Sequence, residues 1–377
     1  MNKWIKGMDL SSLLEVERAG GRFFCDGMQM DAMDILKEHG MNLVRLRLWN
    51  EPYTEDGISY GGGGCDIENV LALARRASEK GIGWMLDFHY SDCWADPGKQ
   101  TLPKAWREKD AEELEQAVYD FTLEVLERCK KEALMPQIAA IGNELTSGLL
   151  WPYGKVPEYG NIVKFLNAGI HAAKDADSSL PVMLHLDNGG NRELYRTWFD
   201  AYLENGGEDF EYIGLSYYPF WHGSLAMLQE NMEAAARRYH KKMIVTEVSS
   251  GFTLEDYQNY EKLKASDRKG MAATAKLAER VPYPMTKQGQ ADFMTDFLNT
   301  ICKTPDGLCE GFCYWEPAWL PVPGSHWATP QACEYMGDHG PGGNEWANQA
   351  LFDYDGNTLP ALNVIRDFHP PEHQSIS

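Results

Sequence analysis

The 377-residue chain carries 35 basic and 56 acidic residues, a formal net charge of −21, and 44% apolar side chains. Length and apolar content suit one large α/β barrel with extended loops, and the negative charge argues against nucleic acid and anionic membrane surfaces as partners. A neutral ligand fits better, and the longest apolar runs, such as residues 243–245, fall far short of the roughly 20 residues of a membrane helix.

In chain order, eight short apolar stretches, residues 4–8, 43–48, 84–88, 137–141, 182–186, 212–216, 243–246 and 311–315, alternate with amphipathic helical ones. That is the pattern of one closed parallel (β/α)8 TIM barrel, an α/β fold. Residues 66–80 show the helical spacing: Ile67, Val70, Leu71, Ala74 and Ala77 share a face, and Gly81 follows as a C-terminal cap. Residues 110–131 and 161–177 read likewise. No linker or composition break divides the chain, so residues 1–368 are expected to form a single barrel domain and 369–377 a loose C-terminal tail.

The loops after the strands are unequal. The long ones, 91–106, 148–159, 251–283 and 316–346, are rich in Trp, Tyr, Pro and Gly, and in a barrel such βα loops build the functional face. The eight cysteines are scattered and form no CxxC pair, so neither a zinc cluster nor a disulfide framework is expected. No leader pattern precedes the first strand. The protein is expected to be cytoplasmic if Met1 is the native start and secreted if a signal peptide was removed.

Two strand ends carry carboxylates. Ile141-Gly142-Asn143-Glu144 closes the fourth predicted strand and Ile244-Val245-Thr246-Glu247 the seventh, which sets two glutamates facing each other across the barrel mouth. An ordinary carboxylate is a solvated surface charge, but these two end apolar strands, where burial costs several kcal/mol unless partners or function compensate. A pair held about 5 Å apart can cleave a glycosidic bond with retention, one carboxylate attacking while the other protonates the departing oxygen.

Around them, Arg45 on the second strand is placed to keep the Glu247 carboxylate ionised, unless it is a structural ion pair. His89 and Tyr218 also end strands, where they bond sugar hydroxyls or, for Tyr218, the Glu247 oxygen if they are not satisfied core residues. Trp49, Trp94, Trp221, Trp315, Trp319 and Trp327 fall at strand ends or in the following loops, and indole faces stack on the apolar faces of pyranose rings. Read from residues alone, the ligand is a neutral polysaccharide.

The segments Gly7-Met8-Asp9-Leu10-Ser11-Ser12, Val44-Arg45-Leu46-Arg47-Leu48-Trp49, Asp87-Phe88-His89-Tyr90-Ser91-Asp92 and Trp94-Ala95-Asp96-Pro97 are followed by Ser216-Tyr217-Tyr218-Pro219-Phe220-Trp221 and Tyr314-Trp315-Glu316-Pro317-Ala318-Trp319. With the two glutamate motifs, this set resembles the endo-β-1,4-galactanases of glycoside hydrolase family 53, retaining barrel glycosidases of clan A, along nearly the whole chain. The resemblance implies an endo-acting hydrolase of β-1,4-linked (arabino)galactan side chains of pectin, with Glu144 as acid/base and Glu247 as nucleophile. It also implies that Asn143 bonds the 2-hydroxyl of the reacting sugar and that Arg45, His89, Ser216, Tyr218 and Trp315 complete that subsite, with Asp87 beside them. Bacterial members often bind calcium through an Asp/Asn/His-rich loop after strand seven, whereas residues 252–281 here read as helical and rich in Lys and Ala. No calcium is expected there, no cofactor is expected, and the chain is expected to act as a monomer.

Other readings are a barrel glycosidase for mannan or glucan, a non-catalytic galactan-binding barrel, and a metal-dependent hydrolase using Asp87, His89, His185 and Asp187. Against the last, the ten histidines include no HxH or HExxH, and the two glutamates would have no role.

Overall fold

The computed structural model describes residues 4–255, 257, 274–338, 344 and 346–371. Eight parallel strands close into a barrel: β1 (Ile5–Asp9), β2 (Leu43–Leu48), β3 (Gly83–Phe88), β4 (Ile138–Ile141), β5 (Val182–Leu186), β6 (Tyr212–Tyr217), β7 (Lys242–Val248) and β8 (Cys309–Tyr314). Each pairs with its neighbours in sequence, and β8 returns to β1 with Ile5 opposite Gly311 and Met8 opposite Tyr314. Gly311, at φ +144°, lets β8 approach β1 at this seam, because a Cβ there would collide with the Ile5 carbonyl.

Helices follow the strands: α1 (Ala32–Glu38), α2 (Ile67–Glu79), α3 (Ala111–Lys131), α4 (Tyr159–Ala176), α5 (Arg192–Glu204), α6 (Leu225–Tyr239), α7 (Lys287–Ile301) and α8 (Pro360–Asp367), with shorter helices in the connections. Their starts are written in the sequence. The Asp66 carboxylate accepts from the Asn69 amide at the head of α2, and Asp110 with Glu113 forms a capping box on α3, each such cap stabilising by about 1 kcal/mol. Val70, Leu71, Leu73, Ala74 and Ala77 then bury one face of α2. Two small hairpins, Phe23–Cys25 with Met28–Met30 and Gly148–Leu149 with Gly154–Lys155, escape a reading based on apolar runs because they are too short to show alternation.

Strand alternation sorts side chains between two environments. Val44, Leu46 and Leu48 of β2 face the helices, whereas Leu43, Arg45 and Arg47 face the barrel axis. The lower interior is apolar, packed from Ile5, Leu43, Met85, Ile138, Met183, Tyr212 and Ile244. Toward the C-terminal ends of the strands the same inward parity brings Asp9, Arg45, Asp87, His185 and Ser216, all fully buried. The barrel axis therefore changes from hydrocarbon to a hydrogen-bonded ionic layer just below the mouth.

Strict alternation would send Glu247 outward with Val245. The pairing of β7 with β6 shifts instead: Leu215 is opposite Val245, but Ser216 is opposite Glu247, so Thr246 is an extra residue. This bulge reverses the parity and turns Glu247 into the barrel.

Among the described residues no helix is long and apolar enough to cross a membrane. Most of the segment expected to be helical after β7 (residues 256 and 258–273) lies outside the described residues, as does 372–377 of the expected tail. A short helix, Ala275–Ala278, precedes α7.

Candidate active site

Past the end of β4, Gly142 at φ +82° swings the chain off the strand, and Glu144 follows in the left-handed region at φ +46°. Tyr90, Asn188 and Glu316 hold the same conformation just beyond β3, β5 and β8. For a residue with a Cβ this costs on the order of 1 kcal/mol or more, and its recurrence around one rim marks a mouth whose side chains are aimed by backbone strain.

These loops enclose a cavity of about 470 Å³ at the C-terminal end of the barrel. Of the residues expected to meet substrate, Asn143, Glu144, Glu247, His89 and Tyr218 line it together with Trp94, Trp221, Trp315 and Trp327. Arg45, Asp87 and Ser216, expected to complete the reacting subsite, are not in its lining; they sit one layer deeper, fully buried, and act on residues that are. Trp49 and Trp319 are displaced in the same sense. Trp49 packs edge-on against Trp94 and donates to His89 Nδ1 at 3.2 Å, and Trp319 lies behind Trp94 and Trp315 and donates to Ser325 Oγ. Both are fully buried because Trp94 and Trp315 stand between them and the cavity, so they back the aromatic wall without facing it.

The structure also brings forward Arg47, Asp96, Asn188, His222 and Trp346, which line the same cavity but were given no role in sequence, and Asp187, read there only as a possible metal ligand. Arg47 shares the inward face of β2 with Arg45, a signal that period-two alternation already carries. Its guanidinium lies 4.6 Å from the Trp94 ring centre and is ion-paired with Asp9 and Glu316. Trp346, 30 residues beyond Glu316 in sequence, packs at a tilt with its ring centre 4.4 Å from that of Trp315, a contact only the folded loop creates.

Carboxylate oxygens of Glu144 and Glu247 come within 4.8 Å of each other. Their surroundings differ. Glu247 Oε1 lies 3.0 Å from Arg45 Nη1, and Oε2 accepts from the Tyr218 hydroxyl at 2.7 Å. Arg45 also binds Asp9 and Asp87, at 2.9 and 2.8 Å, so one cation serves three carboxylates. Among the described residues no lysine or arginine is ion-paired with Glu144, whose carboxyl meets Ser216 Oγ at 2.6 Å.

Burial pushes the Glu144 carboxyl well above the usual carboxylate range, and the negative charges of Glu247 and Asp187 push it further. Burial raises Glu247 too, but Arg45 and Tyr218 pull it back. The two arginines of β2 face the carboxyls of Asp9, Asp87, Glu247 and Glu316 with Glu144 beside them, an excess of acidic groups over cations. Of the two glutamates, Glu144 is the one whose surroundings favour the protonated form more strongly. Burial also lifts Glu316, to about 7 against the pull of Arg47 and Ser12, and Asp187, to about 6 against the Thr146 hydrogen bond.

The same atoms bear on metal binding. One nitrogen of His185 falls within 4.8 Å of Glu144 and Glu247 oxygens, but both ring nitrogens are engaged, by Asn143 Oδ1 and by Ser216 Oγ at 2.8 Å each. Asp87 is paired with Arg45, and His89 Nε2 is bonded to Asp87 at 3.1 Å. The proposed ligand set is thus already spent on protein partners, and binding an ion would break that network.

The sequence profile described as Glycosyl hydrolase family 53 matches residues 5–365. An endo-beta-1,4-galactanase of Bacillus subtilis is 36% identical, the alignment covering 97% of this chain and 86% of the relative. An arabinogalactan endo-beta-1,4-galactanase of Humicola insolens is 33% identical over 96% of this chain and 98% of its own. Among solved structures, the family 53 catalytic domain of Ignisphaera aggregans superposes with a TM-score of 0.88 at 36% identity, covering 97% of this chain and 96% of that one. One of two fungal beta-1,4-galactanases, 28% identical, superposes with a TM-score of 0.76 over 96% of this chain and 98% of its own. A barrel mouth bearing an unequal carboxyl pair, and a family match that runs from β1 into α8, lead to one conclusion: the chain belongs to glycosyl hydrolase family 53.

Proposed function

We propose that this protein hydrolyses internal β-1,4-galactosidic bonds of galactan and arabinogalactan with retention of configuration, Glu144 serving as acid/base and Glu247 as nucleophile. The observation that carries the reading is the inequality of the pair. Glu247, bonded by Arg45 and Tyr218, is prepared as the anion that attacks the anomeric carbon, and Glu144, without a cation, is prepared as the acid. Oxygens within 4.8 Å match the separation of about 5 Å used for double displacement, and are too close for the water-spanning gap of roughly 6.5 Å or more that inversion requires.

In the first step Glu247 bonds to the anomeric carbon as Glu144 gives its proton to the departing glycosidic oxygen. In the second, Glu144, now a carboxylate, takes a proton from water that attacks the same carbon and frees Glu247. Asn143 is held by Arg45 and His185 through Oδ1 and by the Ala95 carbonyl through Nδ2, a rigid mount for a group beside the sugar ring. Trp94, Trp315 and Trp327 supply stacking surface in the cavity, and Trp221, 46% exposed and joined to Trp315 through Trp346, extends it outward. The galactan assignment follows the named relatives; no metal takes part, and the enzyme acts as a monomer.

Reducing-sugar release and product sizing on purified β-1,4-galactan, with β-mannan and cellulose as controls and Glu144→Gln as the blank, test this. Galacto-oligosaccharides from the wild type alone support it. Release from mannan or cellulose without release from galactan would transfer the mechanism to another polymer.

A further inference from the structure

A continuous chain of hydrogen bonds joins the two glutamates: Glu144, Ser216, His185, Asn143, Arg45, Glu247. The direction of each bond can be worked out from one end. Asn143 Nδ2 donates to the Ala95 carbonyl at 2.8 Å, so Oδ1 is the atom that accepts from Arg45 Nη2 at 2.9 Å. His185 Nδ1 stands 2.8 Å from this same Oδ1, which can only accept, and so Nδ1 carries a hydrogen. Burial, with the Arg45 guanidinium nearby, holds His185 well below the usual imidazole range, so the ring is neutral and Nε2 presents a lone pair. Ser216 Oγ, 2.8 Å from Nε2, must then donate to it, leaving a lone pair toward Glu144 Oε1 at 2.6 Å. Only a protonated Glu144 completes that last bond.

We propose that Ser216 and His185 form a two-position hydroxyl rotor that supports Glu144 in both of its protonation states. In the acid state Glu144 donates to Ser216 Oγ while Ser216 donates to His185 Nε2. After Glu144 has passed its proton to the leaving oxygen, the Ser216 hydrogen rotates away from Nε2 and toward the new carboxylate, and His185 stays neutral. No proton leaves the serine. Ser216 and His185 are positioning residues, buried beneath the cavity and acting through Glu144. The inference rests on the assignment of Glu144 as acid/base. The other ionisable groups around Glu144 are Glu247 on β7, Asp187 after β5, Asp96 after β3, Tyr195 on α5 and Tyr218 after β6, and those around His185 are Arg45, Asp87 and His89.

The test compares Ser216→Ala and Ser216→Thr with wild type on an activated aryl β-galactoside. The alanine variant deprives the Glu144 carboxylate of its donor, so the alkaline limb of kcat/KM moves up by about one pH unit and kcat falls about tenfold. Threonine keeps the hydroxyl and restores both. An unmoved alkaline limb in a folded alanine variant overturns the rotor. Independently of any activity, 15N NMR of the His185 ring should show the neutral Nδ1–H tautomer, and an imidazolium or Nε2–H form overturns it. Wild type inactive on both galactan and aryl galactoside would sink the functional assignment itself, while the tautomer measurement would still decide the hydrogen-bond order.

Discussion

Arg45 Nη1 lies 3.0 Å from Glu247 Oε1, and the same guanidinium reaches Glu144 only through Asn143, His185 and Ser216. Direct charge on one carboxylate and a relayed, neutral contact on the other divide the labour between two residues of the same type. A bell-shaped pH profile follows, its acid limb set by Glu247 and its alkaline limb by Glu144.

Tyr218→Phe removes the 2.7 Å hydrogen bond that favours ionised Glu247. The acid limb of kcat/KM should therefore move to higher pH, with the alkaline limb less affected and kcat reduced by about 10- to 100-fold. A full pH–rate profile of the variant checks this; a shift of the acid limb to lower pH would count against the role given to Tyr218.

Glu144 also weighs on stability. Its pKa in the folded protein is raised, so it is the protonated carboxyl that favours folding: there is no cost below the unfolded value of 4.5, where both states are protonated, and stability is lost as pH rises from there toward the folded pKa. Glu144→Gln has no such loss. Its stability advantage over wild type should widen with each pH unit above the ordinary carboxylate range, by at most about 1.4 kcal/mol per unit. Urea denaturation of both proteins at pH 5, 6 and 7, values of roughly unit spacing chosen from that slope, would reveal a constant difference if Glu144 were ionised in the native state.

Trp221 is 46% exposed at the cavity edge, whereas Trp315 is 5% exposed within it. Trp221→Ala should raise KM for galactan by about tenfold, since stacking on an indole contributes on the order of 1 kcal/mol or more, and leave kcat/KM for a small aryl galactoside near wild type. Equal losses on both substrates would place Trp221 at the reacting sugar.

Dialysis against a chelator should leave galactan hydrolysis intact, because the His185 and Asp87 donors are already bonded to Asn143, Ser216 and Arg45. Activity lost to chelation and regained with a divalent ion would return the metal-dependent reading to contention.

Much of this was legible in the sequence because a barrel repeats one simple signal, a short apolar run followed by a capped amphipathic helix. The strand ends at Glu144, His89 and Tyr218 follow from that repeat. Glu247 is different: its motif is visible, but its inward direction depends on the Thr246 bulge, which period-two alternation misreads. Trp49 and Trp94 are both tryptophans beyond a strand end, and only packing decides that Trp94 faces the cavity and Trp49 stands behind it. Ser216 could be placed on the inner face of β6, but not assigned to Glu144 and His185, since those contacts span 72 and 31 residues of sequence.

The most direct measurement is covalent trapping with a 2-deoxy-2-fluoro-β-galactoside carrying a good leaving group, which slows breakdown of the glycosyl-enzyme, followed by peptide mass spectrometry. The account predicts one added fluorogalactosyl group on Glu247, formed by wild type and absent from Glu247→Gln. A label on Glu144, or hydrolysis of galactan that releases the inverted anomer first, would contradict it.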